Sequence, residues 1–232
     1  MTIGHGNEGE VFQFLDGLFP SGAFAHSFGL ETLVQEQWIS DEPSSRQWIR
    51  WIIRYSWAPS DALAAQLVYR ASHEKGFWDQ VLKIDSYLTA SRVAQESRQG
   101  SLNIGRRILL TACDLFEVPD LLRYQETIHR VPYLGNQATV LAVIGVIRNW
   151  GESVGMNSLA YITVCGMVQA LVKLVPLGQR ESQKMLFDLH PWTMEVLNSI
   201  HHWQVEDIGS RMPLYDVAAM RHRDLYSRLF RS

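Results

Sequence analysis

The sequence predicts an all-α protein, and three observations support that prediction. Along most of the 232 residues, apolar side chains recur at steps of three and four, which is the spacing of one face of a helix. Period-two alternation over more than four residues, the pattern of a half-buried strand, is hard to find. Asn-Gly turns, which often join the strands of a hairpin, do not occur. We therefore expect a single-domain bundle of roughly eight to ten helices.

The first strongly periodic segment follows Pro43, with Ser44 or Ser45 as the expected N-cap. A second helix is predicted to begin at Pro59, because proline is favoured in the first turn of a helix. A third is predicted after Gly76. The apolar face of the first of these helices repeats at helical spacing: Trp48, Trp51, Ile52 and Tyr55.

Further helices are predicted in the second half of the chain. One spans roughly residues 91–113. A short helix begins at Pro119 and ends near Arg130, just ahead of Pro132. An amphipathic stretch from Leu177 to about His201 is expected to be interrupted near Pro191.

Two uncharged stretches require a choice between a buried core and a membrane. Residues 131–147 and residues 153–172 contain no charged side chain, and either is long enough to span a bilayer. Both contain polar residues, among them Asn136, Gln137 and Asn157, which favour a soluble core. We therefore expect a buried central helix pair, and a membrane hairpin is the alternative.

The composition narrows the possible functions. The chain has 21 Lys and Arg and 24 Asp and Glu, so 19% of its residues are charged, against about 25% in ordinary proteins. It also has eight tryptophans. These values exclude a disordered chain, and a net charge of −3 argues against a general nucleic-acid binder. The apolar surplus indicates either a large core or a surface made for partners.

The cysteines and the first residues bear on the compartment. Two cysteines, Cys113 and Cys165, exclude a disulfide-rich scaffold and a four-thiolate zinc site. The first ten residues contain neither a basic region nor an apolar run of the kind found in signal peptides. We therefore expect a cytoplasmic protein.

A search for catalytic motifs gives no self-sufficient set. Gly100 and Gly105 have the separation of a phosphate loop, but Arg106 and Arg107 replace the Lys-Ser/Thr pair that binds the phosphates and magnesium. There is no G-x-S-x-G nucleophile elbow, and the eight histidines include no H-x-x-x-H pair. The sequence predicts no catalytic residues, no metal site and no cofactor.

Two groups of polar residues remain patterned. Arg92, Glu96 and Arg98 fall on the predicted fourth helix, where Arg92 and Glu96 have the i, i+4 spacing of a surface ion pair. Residues 221–232 carry four arginines against one aspartate, a local charge of +3 in an acidic chain.

This basic tail (residues 221–232) is predicted to continue a helix with one apolar stripe. Exposed arginines, Tyr226 and Phe230 beside such a stripe are typical of interface anchors. The alternative is an ordinary terminal helix packed on its own fold. The stripe comprises Leu214, Val217, Ala218, Leu225 and Leu229.

Five segments, in order along the chain, resemble the urease accessory protein UreF family. The first, residues 19–32 (FPSGAFAHSFGLET), is similar to the opening motif of that family, with Ala25-His26 departing from its Ser-Tyr pair. Residues 91–106 resemble the central motif, and residues 129–135 and 174–179 are further matches. Residues 220–232 (MRHRDLYSRLFRS) resemble the family's terminus.

The resemblance implies an all-α domain in residues 1–220, followed by the basic tail. It also implies that the protein forms a homodimer and acts in urease maturation. It implies binding to the UreD/UreH accessory protein and recruitment of the nickel-carrying GTPase UreG to the urease apoprotein for nickel insertion. It carries a GTPase-recruiting role onto these tail residues: Arg221, Tyr226, Ser227, Arg228, Leu229, Phe230 and Arg231. The N-terminal motif is expected to share that surface through Phe24, His26, Ser27, Gly29 and Glu31, and Arg92, Glu96 and Arg98 belong to the central motif.

Two other mechanisms stay open at this point. An arginine of this chain could act as an arginine finger on the partner GTPase. Alternatively, the chain could bind nickel directly through histidine, although its histidines do not cluster. The tail is expected to be mobile until it binds a partner, because its arginines have few acidic neighbours in sequence.

Overall fold

The chain folds as a bundle of α-helices, which confirms the predicted class. The computed structural model describes residues 8–232; the segment 1–7, part of the region expected to lack a signal peptide, lies outside the described residues. A π-helix, Ile53–Ala62, joins α3 and α4 into one continuous helix. The described residues therefore form ten separate helices, short 3₁₀ turns not counted. The α-helices are α1 (Glu8–Leu15), α2 (Leu30–Gln35), α3 (Glu42–Ile52), α4 (Leu63–Ala71), α5 (Phe77–Ser91), α6 (Gln95–Phe116), α7 (Pro119–Arg130), α8 (Gln137–Ile147), α9 (Glu152–Leu174), α10 (Gln179–Ser199) and α11 (Pro213–Arg221).

The two uncharged stretches form α8 and α9, at the centre of the bundle. Every residue of α8 from Ala138 to Gly145 is buried, where the helix packs against α4, α6 and α9. In contrast, α9 buries one face against α2, α8 and α10 and leaves Tyr161 43% exposed. Among the described residues, α9 alone is long and apolar enough to cross a membrane. Its packing against three neighbours is that of a core helix.

Both proline breaks predicted within helices are wrong. Pro59 lies inside the π-helix, where the carbonyls of Tyr55 and Pro59 accept hydrogen bonds from the backbone N–H groups of Arg211 (2.6 Å) and Gly209 (2.9 Å). A wider helical turn and these partners from another segment accommodate the proline. Pro191 likewise lies within α10, which is continuous from Gln179 to Ser199.

Some predicted boundaries also differ. Asp41, and not Ser44 or Ser45, is the N-cap of α3; its carboxylate accepts the backbone N–H of Ser44 at 2.9 Å. Helix α6 begins at Gln95, so Arg92 lies in the loop before it. Two other boundaries agree with the sequence. Helix α5 begins directly after Gly76, and α7 begins at Pro119 and ends at Arg130.

A buried carboxylate fixes the start of α8. Asp85 on α5 is fully buried and accepts hydrogen bonds from the backbone N–H groups of Gly135 and Asn136, the Asn136 amide (2.8 Å) and the Thr139 hydroxyl (2.6 Å). Burial raises the pKa of Asp85, and these hydrogen bonds oppose the increase. The loop of the 129–135 motif is therefore held from inside the core.

The apolar surplus is divided between core and surface. Trp48 and Trp150 are buried, and the Trp48 indole donates to the carbonyl oxygen of Trp38 at 3.0 Å. Other large side chains are well exposed, with Phe12 68% and Phe187 81% accessible. The surplus of apolar residues therefore contributes both to a large core and to an exposed apolar surface, the two alternatives that the composition left open.

Candidate functional site

Three segments that are distant in sequence meet on one side of the bundle. They are the N-terminal segment (residues 24–31), the central segment (residues 92–98) and the basic tail (residues 221–232). The tail leaves helical geometry after α11: a single 3₁₀ turn, His222–Asp224, is followed by irregular chain. The predicted helical stripe through Leu225 and Leu229 is therefore wrong, because the backbone N–H groups of residues 229–231 bind the N-terminal segment and not the preceding turn.

Glu31 lies at the centre of this contact. Its side chain is only 3% exposed. Its Oε1 accepts the backbone N–H of Leu229 at 2.6 Å, and its Oε2 accepts that of Phe230 at 3.1 Å. Oε2 also lies 2.9 Å from Nε2 of His222. One buried carboxylate therefore holds the tail at three points.

His222 connects the tail to the central segment. The ring has no exposed surface, and its Nδ1 lies 2.8 Å from Oε2 of Glu96. The other oxygen of Glu96 accepts from the Arg228 guanidinium at 3.0 Å. Glu96 thereby contacts both ends of the tail's loop.

The last residues of the tail pair with the chain just before α2. The backbone N–H groups of Ser27 and Phe28 donate to the carbonyl oxygen of Ser232, at 2.5 and 2.9 Å, and the Ser27 hydroxyl donates to the same atom at 2.8 Å. The backbone N–H of Arg231 donates to the Ala25 carbonyl at 2.7 Å. These bonds satisfy polar groups of both segments, which would otherwise be buried without partners.

His26 adds a side-chain contact to this pairing. Its Nδ1 lies 2.6 Å from the Ser232 hydroxyl, and its ring stacks on Phe28 at 5.5 Å. Burial lowers the pKa of His26, and the nearby guanidinium groups of Arg231 and Arg107 lower it further. The imidazole is therefore favoured in its neutral form at this contact.

Gly29 makes the approach of α11 possible. Its φ of 100° is in the left-handed region, and a Cβ built there would lie 3.0 Å from the backbone of Ala219 on α11. Phe24, at the other end of the N-terminal segment, is 44% exposed and packs on Gly17. Gly29 therefore allows α11 to pack closely against the N-terminal segment, a structural role that the sequence does not reveal.

The docked tail displays some side chains and buries others. Tyr226 is fully exposed, Leu229 is 62% exposed, and Arg228 is 40% exposed beside Glu96. Ser227 and Arg231 are also exposed, and the Ser227 carbonyl accepts from the Gln35 amide at 2.9 Å. Phe230 is only 6% exposed, with the Lys173 ammonium 5.4 Å from its ring, so the expectation of an exposed Phe230 is wrong.

The acidic partners of the tail arginines come from distant parts of the chain. Arg221 binds Glu36 at 3.0 Å, and Arg228 binds Glu96 at 3.0 Å. Sequence neighbours alone gave no sign of these pairs. The mobility of the tail without a partner stays a prediction, since only its docked arrangement is described.

The central segment does not form the ion pair that its spacing suggested. Arg92 lies before α6 and pairs with Asp61, and Arg98 donates to the Arg92 carbonyl at 2.7 Å. The prediction of an Arg92–Glu96 ion pair is therefore wrong. The Asp61–Arg92 pair lines a cleft of about 160 Å³ beside the docked tail, together with Asp216, whose pKa is raised by burial.

His222 is the site residue that sequence reasoning did not select. It lies within the matched tail motif, but nothing in the sequence places it between two glutamates that are 126 and 191 residues away. In the described residues 8–232, no group of three or more His, Cys, Asp or Glu side chains is arranged to hold a metal ion. The charged groups of the site contact one another.

The fold and the site define an all-α protein whose displayed arginine and aromatic side chains are held in place by two distant segments. Comparison with known proteins identifies the family. The UreF family model matches residues 39–190. The chain is 35% identical to the urease accessory protein UreF of Bacillus sp. (strain TB-90), over 96% of this chain and 97% of that protein.

Two further relatives give the same result. UreF of Lachnoclostridium phytofermentans is 31% identical over 96% of this chain and 97% of its own length. UreF of Streptococcus salivarius is 30% identical over 96% of this chain and 94% of its own length. The chain belongs to the UreF family of urease accessory proteins.

Proposed function

We propose that this protein is a scaffold for nickel insertion into urease. In this proposal it acts in the cytoplasm as a homodimer and binds the UreD/UreH accessory protein. It recruits the nickel-carrying GTPase UreG to the urease apoprotein, where nickel is the cargo. Family membership supports a role in urease maturation.

The observation that carries the proposal is the docked tail. Its backbone is fixed by Glu31 and by residues 25–28, while Tyr226, Arg228 and Leu229 are exposed. Aromatic and arginine side chains held on a fixed backbone are effective interface anchors, because little conformational entropy is lost when the partner binds.

The charges of the tail indicate the chemistry of the partner surface. The exposed guanidinium groups of Arg221, Arg223 and Arg228 lie close together in the chain and have side-chain exposures of 62%, 68% and 40%. Each of these groups also pairs with a carboxylate of this chain, so a partner with carboxylates around an apolar contact would provide acceptors for their remaining N–H groups. The proposal therefore expects the GTPase to present such a surface to the tail.

Replacing Arg228 tests the proposal. Arg228→Ala should leave the fold intact but abolish recruitment of the GTPase in a pull-down with the purified accessory proteins. The matched control is Arg123→Ala, which removes an equal charge from α7, outside the tail, and only an exposed pair with Asp120. Full recruitment of the GTPase by the Arg228 variant would overturn the proposal.

The dimer is proposed to use a cleft between α1, α9 and α10. Its volume is about 370 Å³, and its lining includes Phe12, Tyr161 and His190. Phe187 protrudes from α10 one turn before His190 and is 81% exposed. A protruding ring and a cleft on the same helix favour a two-fold contact in which each copy inserts its Phe187 into the other.

Mass measurement in solution tests this seam. Phe187→Asp should convert the dimer into a monomer, because a carboxylate would have to be buried in an apolar cleft. Lys75→Asp, a charge change at an exposed residue in the loop between α4 and α5, is the control. If the Phe187→Asp protein stayed dimeric, the dimer interface would have to lie elsewhere on the molecule.

A further inference from the structure

We propose that His222 is the positioning residue of the tail: it locks Glu31 and Glu96 to the tail and thereby sets the orientation of Arg228. The three residues are named here the latch (Glu31, His222, Glu96). This inference rests on the proposed function, because it concerns how the GTPase-binding surface is held in place.

The ring of His222 can hydrogen-bond through both of its nitrogens. Nε2 lies 2.9 Å from Glu31 and Nδ1 lies 2.8 Å from Glu96. An ionised carboxylate only accepts hydrogen bonds, so a ring nitrogen must donate to satisfy it. An imidazole ring presents a nitrogen to each of the two carboxylates, and either nitrogen is able to carry a hydrogen, whereas an amide side chain donates from one end only.

Two members of the latch, His222 and Glu31, are buried. His222 has no exposed surface, and the Glu31 side chain is 3% exposed. If the ring were removed, Glu31 would lose one of its three donors and stay buried. A buried carboxylate with too few partners is strongly unfavourable, so the bonds from Leu229 and Phe230 to Glu31 depend on the ring.

Glu96 links the latch to the exposed side chains of the tail. Glu96 uses one oxygen for His222 and the other, at 3.0 Å, for Arg228. The ring fixes the carboxylate, and the carboxylate fixes the guanidinium. His222 is fully buried in the docked tail and acts on the partner surface through two carboxylates, Glu96 beside Arg228 and Glu31 beneath Leu229.

Hydrogen–deuterium exchange of the isolated chain measures the latch directly. In His222→Gln, the amide can donate from only one end, so its carbonyl oxygen faces a carboxylate. Protection of the Leu229 and Phe230 amides should fall about tenfold or more, while peptides from α8 stay protected. The control is Arg221→Gln, which changes the neighbouring residue and breaks only the surface pair with Glu36.

A second variant distinguishes positioning from simple loss of packing. Glu96→Gln removes one carboxylate of the latch from its more exposed side, 27% accessible, and leaves no cavity. Alone it should lower tail protection. Combined with His222→Gln it should restore protection, because the new amide at residue 96 can donate to the carbonyl oxygen at residue 222. Additive losses in the double variant would overturn the latch, and so would unchanged protection in His222→Gln.

Binding to the GTPase separates the latch from the proposed function. If both are right, His222→Gln lowers the affinity for the GTPase in proportion to the fraction of molecules whose tail stays docked. If most tails undock and GTPase binding does not change, the latch stands and the recruiting role of the tail fails. If Arg228→Ala abolishes binding while His222→Gln leaves protection intact, the recruiting role stands and the latch fails.

Discussion

Two regions of the molecule use the same device in different ways. Asp85 and Glu31 are carboxylates with almost no exposed surface, and each accepts the backbone N–H groups of two successive residues of a distant segment. For Asp85 these are Gly135 and Asn136. For Glu31 they are Leu229 and Phe230. Each carboxylate therefore fixes the backbone of a loop.

The difference lies in the remaining partners and in what each loop carries. Asp85 is completed by neutral donors, the Asn136 amide and the Thr139 hydroxyl, and its loop leads into buried α8. Glu31 is completed by His222, and its loop displays Tyr226 and Leu229. The loop that Asp85 fixes is therefore part of the core. The loop that Glu31 fixes depends on a histidine and presents side chains to a partner.

The largest effect is expected at Asp85. Asp85→Ala leaves four donors without their acceptor inside the core and should lower the free energy of unfolding by about 3–5 kcal/mol. Urea unfolding followed by circular dichroism measures it. Asp79→Ala, an exposed acid in the first turn of the same helix, should cost less than about 1 kcal/mol. A loss of stability at Asp85 no larger than that of the control would break the comparison.

A smaller, pH-dependent effect is expected at His26, in the second region. Burial and the charges of Arg231 and Arg107 lower the pKa of His26 below its usual value of 6.5; His222 adds to the decrease, and Glu96 opposes it. A lowered histidine pKa contributes stability that is fully present above pH 6.5 and is lost as the pH falls through the lowered value. Docking of the tail should therefore weaken on acidification.

Exchange protection of the Ser27 and Phe28 amides at pH 7.5 and pH 5.5 tests this effect. Both amides donate to Ser232 beside the His26 ring. Protection factors should fall severalfold at the lower pH, and His26→Gln should remove the part of the fall that His26 causes. Equal pH dependence in both proteins would show that another group controls docking.

The sequence predicts these two regions to very different degrees. Helical periodicity and proline positions indicate α5, α7, α8 and the all-α class, because those signals are local. The site depends on contacts between residues 126 to 206 positions apart, such as His222 with Glu96 and His26 with Ser232. No local pattern encodes these contacts. The family resemblance predicted that the N-terminal motif shares a surface with the tail, but nothing in the sequence indicated that His222 and Glu96 join it.

The prolines show why some local signals also fail. Proline is predicted to end a helix because it lacks the N–H that the helix requires. Around Pro59, the chain at Gly209 and Arg211 supplies backbone donors to the carbonyls of the π-helix. Tertiary hydrogen bonds therefore override the local preference, and these depend on the completed fold.

The smallest effect is expected at Glu36, and it sharpens the comparison. Glu36 also binds the tail, through Arg221 at 3.0 Å, but the pair is 62% and 35% exposed. Solvent and salt weaken such a pair, so Glu36→Gln should change stability by less than about 0.5 kcal/mol and leave the exchange protection of Leu229 unchanged. Glu31→Gln, the same chemical change at a buried acid, should lower that protection strongly. If both substitutions lowered the protection of Leu229 equally, the buried Glu31 would hold the tail no better than an exposed ion pair does. A larger loss in Glu31→Gln would show that the buried carboxylate controls docking of the tail.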